Sequence, residues 1–246
     1  MSHELQVLDI VRQAATVRFE LRETIANRPE AVARVTASSE AVMLWDPDLA
    51  LPPVDLVAEL LNGPCHVWHA GLLLGQGGLP LLWGFCHPRA MFSRDVDSDT
   101  SSMSLRLSLR AVIVRSEVLT ALGGVDPGFE TASGAGLDAG MRWYRHGAML
   151  RHVPELLVPS PHREPDPRPS IRDEVRFVAN HLGRTWALWA AIRGLVTRTI
   201  SLRQLPAARH GLANPRPQSQ TFGLRSPHDA PDPGARVTVL VPTVGR

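Results

Sequence analysis

The 246-residue chain contains no lysine, so all 26 of its basic residues are arginine. That absence reflects a GC-rich coding sequence rather than a function, and a net charge of +2 excludes no class of partner. Cysteine is nearly missing too. Cys65 and Cys86 form no metal-binding or redox spacing and read as two buried thiols in a reducing cytosol. The opening residues, Met1-Ser-His-Glu-Leu-Gln6, lack the basic-then-apolar pattern of a signal peptide. No apolar run is long enough to cross a bilayer. The most apolar window, 66–85, is broken by glycines, a proline and a glutamine. A cytoplasmic protein is expected.

What is present supports a packed core. At 44% hydrophobic content, the chain can form one large or two small domains. Its most informative stretch is Ala41-Val-Met-Leu-Trp-Asp46-Pro-Asp48. An uninterrupted apolar run of this length predicts a strand buried on both faces of a parallel sheet. In open α/β sheets ligands sit beyond the carboxyl ends of such strands. Two carboxylates delivered there can share one divalent cation, which in turn can hold a diphosphate. A second acidic cluster, Asp95-Val-Asp97-Ser-Asp99, has the spacing of a calcium loop. It carries Thr100 where that loop needs glycine and Arg106 where it needs a bidentate glutamate, so it reads as a solvated loop.

Local signals outline βα units. Pro52 and Pro53 suit the opening of a helix carrying Val54, Val57, Leu60 and Leu61, with Gly63 at its end. Leu105, Leu107 and Leu109 alternate with Arg106, Ser108 and Arg110 before Ala111-Val-Ile-Val114, which predicts one strand, half polar at its start. Ser116 can N-cap a short helix that Gly123 ends. Leu137, Met141 and Tyr144 share a face of a further helix closed by Gly147.

Four segments resemble family 2 glycosyltransferases. Trp45-Asp-Pro-Asp48 followed by Pro52-Pro53 is similar to that family's "LDxDxxxxP" segment. Arg115-Ser-Glu-Val-Leu-Thr-Ala-Leu-Gly-Gly-Val-Asp126 resembles its "R-x-x-F-x-x-x-G-G-F-D". Leu137-Asp138, Met141-Arg142 and Gly147 resemble its "D-L-x-x-R-x-x-x-x-G" helix, and Val153-Pro-Glu-Leu-Leu-Val158 its "V-P-x-A-x-V" strand. They span roughly residues 27 to 162, in the family's order. The resemblance implies an α/β, GT-A-like (Rossmann-like) and mostly parallel sheet, with a helical C-terminal tail. It implies inverting transfer of a sugar from a nucleotide diphosphate-sugar donor to a saccharide or lipid-linked acceptor hydroxyl, as in cell-surface polysaccharide or glycolipid synthesis. Asp46 and Asp48 would hold Mg²⁺ or Mn²⁺, and His162, four residues past Val158, is the candidate third ligand. The family's acidic pair that supplies the base falls on Ala135 and Gly136. Asp138 is the surviving carboxylate and the candidate catalytic residue.

The N-terminal side departs from the family. Only some forty residues precede Ala41, room for one βα unit, and nothing there resembles the family's first strand, although residues 31–38 resemble the helix ahead of the DxD strand. The domain is expected to be incomplete on this side. Arg236-Val-Thr-Val-Leu-Val-Pro242 is instead similar to that first strand. The expected division is therefore a partial GT-A-like domain at 1–165, a basic helical tail at 166–212, a Pro-, Gly- and Ser-rich linker at 213–235, and the first strand of a second domain at 236–246. Two explanations fit: the sequence is a fragment of a longer protein with a second, complete domain, the favoured reading, or this strand packs back circularly onto the first domain.

Between Val175 and His228 there is no acidic residue, while eight arginines occur. Ile171, Val175, Val178, Leu182, Trp186, Trp189, Val196 and Ile200 recur near helical spacing. Either a helix pair docks with its apolar face inward, or residues 171–205 lie on an anionic membrane as an interfacial helix, giving peripheral contact at the inner face. No nucleic-acid partner is expected, because a basic face alone carries no specificity. Two function classes follow: a catalytic sugar transferase, or a degenerate, non-catalytic GT-A-like scaffold beside an active second domain.

Overall fold

The computed structural model describes residues 4–13, 16–76, 97–157 and 164–212. His162, Cys86, Asp95, the 213–235 linker and the 236–246 strand lie outside the described residues.

The chain begins with a long antiparallel pair, β1 (Glu4–Gln13) and β2 (Thr16–Ala26). Residues Val17, Phe19 and Leu21 alternate with Arg18, Glu20 and Arg22, the period-2 pattern of a strand. β2 forms one edge of the sheet, and its charged residues blunt that edge. Asp9 on β1 ties the pair to the next segment: it takes an ion pair from Arg22 and hydrogen bonds from the Ser38 and Ser39 hydroxyls, each at 2.8 Å. The Arg22 guanidinium brings its carboxyl down to about 2.

One turn of helix, α1 (Pro29–Val32), leads to β3 (Ala41–Trp45). Then follow α2 (Val54–Asn62), β4 (Val67–His69), β5 (Ser102–Met103), β6 (Ala111–Arg115), α3 (Ser116–Leu122), α4 (Ala132–Arg145) and β7 (Leu150–His152). The sheet order is β2-β1-β3-β6-β4-β7-β5.

The fold is mixed α/β, as expected, but the sheet is mostly antiparallel rather than mostly parallel. Among the described pairings only β4 with β7 is parallel. The cause lies in the connections. The N-terminal segment folds as a hairpin, so β1 runs against β3, and β6 returns between β3 and β4 antiparallel to both.

β3 is buried throughout because both faces are covered. Val42 and Leu44 join a cluster with α3, α4 and the helices that follow, while Met43 and Trp45 pack on the opposite side with Val57 and Leu61 of α2. Residues 105–109 are buried, but they do not pair as the expected strand. β6 starts only at Ala111. Ser116 opens α3, yet its hydroxyl donates to the Ser39 carbonyl instead of capping the helix.

The segment after residue 165 is not separate from the sheet domain. α5 (Ile171–Leu182) buries Val175, Phe177 and Val178 in the same cluster as β3 and β6. It is followed by α6 (Arg184–Val196) and α7 (Leu205–Gly211). The boundary expected at 165/166 therefore falls inside one packed unit.

Candidate functional site

A cleft of about 750 Å³ opens along one edge of the sheet. Asn27 and Arg28 follow β2, Leu109 and Arg110 precede β6, Thr131 to Ser133 open α4, and Glu164 to Pro167 close the rim. β2 and β3 run in the same direction, both opposite to β1, so this edge also carries the carboxyl end of β3. Because β3 is antiparallel to both its neighbours, the carboxyl-end rule for parallel sheets does not apply here, and the cleft stands on its own shape and lining. The volume is within the ordinary range for small-molecule sites.

Asp46 leaves β3 directly behind this cleft and is 1% exposed. Its Oδ1 accepts from the Asp48 backbone N–H at 2.9 Å, which turns the chain, and its Oδ2 accepts from Arg110 Nε at 2.6 Å. The ladder continues past β3, since Asp46 N–H donates to the Arg110 carbonyl at 2.9 Å. The Trp45 indole N–H, 3.2 Å from the Ala50 carbonyl, holds the turn from the other side. Arg110 also donates to the Glu164 carbonyl at 2.6 Å and pairs with Asp166 at 3.3 Å. Gln76 adds a 3.1 Å hydrogen bond to Asp166. Burial acts to lower the Arg110 pKa, but the two carboxylates outweigh it and hold the guanidinium above its ordinary value. Asp48 is exposed. The two carboxylates of the pair are thus unlike: one locked behind a guanidinium, one open to solvent.

The structure places Asp138 elsewhere. It lies on α4, 1% exposed, and is not among the residues lining the cleft. Its Oδ1 accepts from Asn180 Nδ2 at 3.0 Å and meets His181 Nε2 at 3.1 Å, both on α5, while Arg142 Nε is 3.9 Å from Oδ2. Burial raises its pKa, but these partners outweigh that and keep it below the usual carboxylate value. Asp138 clamps α4 to α5, outside the lining of the cleft. Ala135 is fully buried, and Gly136 has no room for the missing acid. A Cβ at Gly136 would stand 2.6 Å from the Leu107 carbonyl oxygen.

The other resembling segments have structural duties. Asp126 makes a bidentate pair with Arg176 of α5, at 2.9 and 3.1 Å, and accepts from Gly128 N–H at 2.8 Å. Arg142 donates to the carbonyls of Leu122 and Gly124, and the Trp143 indole to that of Gly123 at 3.0 Å. Gly123 has φ +73, a conformation that favours glycine. Asp173 of α5, fully buried, accepts from Glu130 N–H at 2.7 Å and from the Thr131 hydroxyl at 2.6 Å, fixing the start of α4 beside the cleft.

Arg28, Arg110, Glu130, Glu164 and Asp166 line the cleft although no motif in the sequence singles them out. Arg110 was visible as the last polar residue of an alternating run ahead of a strand, and a buried carboxylate on the neighbouring strand calls for such a partner. Glu130 and Asp166 carry no pattern in the sequence that marks them.

These features define a three-layer α/β protein with a polar, carboxylate-rich cleft at the strand ends. No protein-family model matches the chain, and no curated protein matches its sequence.

Proposed function

We propose that the chain carries a GT-A-like domain related to family 2 glycosyltransferases, which binds a nucleotide diphosphate-sugar at this cleft and serves inverting transfer to a saccharide or lipid-linked hydroxyl. The observation that carries the reading is assembly. The segments that resemble the family lie far apart in sequence, yet they supply the end of β3 with its turn, the end of β6 with α3, α4, and, where a strand was expected, the short helical turn after β7; neither Asp46 nor Asp48 lines the cleft, and Asp46 meets it through Arg110, which does.

Electrostatics fits a donor that arrives with a cation. Glu130, Glu164 and Asp166 outnumber Arg28 and Arg110 in the cleft lining, so a bare diphosphate is disfavoured. Among the described residues no group of three His, Cys, Asp or Glu side chains is gathered to hold a metal by itself. Mg²⁺ commonly binds through one or two carboxylates with phosphates supplying other ligands, and open Asp48 fits that use. His162 lies outside the described residues and takes its place here as a proposed third ligand. The cation would neutralise charge on the leaving diphosphate. Asp46 then sets the turn that presents Asp48, Arg110 supplies a fixed positive charge, and Glu130 or Glu164 is the carboxylate open to the cleft that can accept the acceptor proton.

A second reading, a non-catalytic scaffold, draws on two observations: the buried Arg110–Asp46 pair, and a helix face with no room at Gly136 for a side chain. One calorimetric and kinetic series separates the two. Mn²⁺ should bind more tightly with a nucleoside diphosphate than without, and Asp48→Asn should remove that coupling. Equal Mn²⁺ affinity in wild type and variant sinks the donor-site proposal altogether. Coupling without sugar transfer, across a panel of nucleotide sugars, leaves the scaffold. Turnover lost in Glu130→Gln or Glu164→Gln, with binding kept, establishes catalysis.

A further inference from the structure

The helix α6 is mounted inside out. Its small residues Ala187, Ala190, Ala191 and Gly194, at helical spacing, are buried, while its large apolar residues other than Leu195 face away from the domain. Trp186, Leu188, Trp189 and Ile192 (53% exposed) continue into Val196 and Leu202, both 79% exposed. A helix that is apolar all round is ordinarily covered on every side. A contiguous exposed face of this kind marks an interaction surface.

Charge identifies the partner. Arg184, Arg193, Arg198, Arg203 and Arg209 are all exposed on the same stretch, and no acidic residue occurs between Val175 and His228. The Arg193 guanidinium lies 5.3 Å from the Trp189 ring centre, and the two tryptophans meet edge-on at 5.7 Å. Tryptophan and arginine at the border of an apolar face suit the headgroup depth of a bilayer. Two copies joined through this face would bring their arginines together, which opposes self-association. No described helix is long and apolar enough to cross a membrane. We propose that residues 184–205 form a peripheral docking surface for an anionic lipid bilayer, the aromatic and aliphatic residues entering the headgroup region and the arginines meeting lipid phosphates. The sequence-level expectation for 171–205 is thereby narrowed, because α5 is spent on the core.

The surface is independent of the cleft and of its chemistry. The test is co-flotation of the full chain with phosphatidylcholine vesicles and with vesicles containing phosphatidylglycerol, at low and high salt. The anionic vesicles should bind at least tenfold better, an advantage that salt erodes. Leu188→Ser with Ile192→Ser should lose binding to both, and Arg193→Gln with Arg203→Gln should lose roughly tenfold or more on the anionic vesicles alone, given about fivefold per arginine. These positions are exposed, so circular dichroism and melting should match the wild type. Equal binding to both vesicle types, or none, overturns the proposal. Light scattering and proteolysis then tell whether a second copy or residues 213–246 cover the face.

Discussion

His69 ends β4 with no exposure, and its neighbours assign its two ring nitrogens. Nδ1 accepts from the Gly71 N–H at 3.1 Å, so Nε2 carries the proton and donates to the Ser104 carbonyl at 2.9 Å. The ring is neutral by construction. Burial drives its pKa down to about 3, with the ring of His152 5.7 Å away working in the same direction. The unfolded chain binds a proton on this residue near the ordinary histidine value, while the folded chain refuses it until pH 3. Stability is therefore complete above about pH 6.5 and falls as pH drops toward 3. Between pH 6.5 and 5 the loss should be about 1.6 kcal/mol, since the slope reaches 1.36 kcal/mol per unit only well below the unfolded value. His69→Gln keeps a donor toward Ser104 and cannot titrate. Urea unfolding at both pH values should show a smaller loss in this variant, and an unchanged loss would remove His69 as the cause.

At the scale of elements, α4 owes its position to missing side chains. A Cβ at Gly140 would stand 2.2 Å from the Leu105 carbonyl oxygen, and one at Gly136 2.6 Å from that of Leu107. The helix therefore lies flush on an extended backbone segment, which cannot yield as a side chain would. Helix propensity and packing make opposite forecasts for Gly140→Ala. Alanine is the better helix former by about 1 kcal/mol, but overpacking costs about 1–3 kcal/mol and backbone contact puts this site at the upper end. A net loss of about 1–2 kcal/mol in denaturant unfolding is expected. A gain would mean that α4 stands off the segment. The same contact explains what the residues revealed beforehand and what they concealed. Leu137 and Met141 at helical spacing made α4 legible, and the apolar run 41–45 made β3 legible. Leu105, Leu107 and Leu109 imitate a strand, but they alternate because one side meets the glycines of α4. The hairpin was legible in Val17, Phe19 and Leu21, yet the family resemblance directed attention to a βα unit. The Asp46–Asp48 turn was readable from β3. Its lock was not, because Arg110 lies 64 residues after Asp46 and Asp166 a further 56 residues on.

For the whole molecule the question is what counts as the domain. The sheet, α3 and α4 make one side of a core whose other side is α5. The link is polar as well as apolar: Asp173 fixes the start of α4, Arg176 holds Asp126, and Asn180 with His181 holds Asp138. Removing α5 would take Arg176 from Asp126, and Asn180 with His181 from Asp138, and each break of a buried charged contact costs about 3–5 kcal/mol. It would also expose the apolar surface now covered by Val175, Phe177 and Val178, at about 1.5–3 kcal/mol for each large side chain. The sum exceeds the roughly 5–15 kcal/mol by which a protein of ordinary stability stays folded at its lower end. A chain ended after Pro169 should therefore fail to fold cooperatively, losing near-UV circular dichroism and its single melting transition. A chain ended after Leu212 keeps all of these contacts and should melt as the full chain does. A cooperative melt from residues 1–169 at the full chain's temperature would restore the boundary at 165/166 and make α5 an accessory rather than a wall of the core.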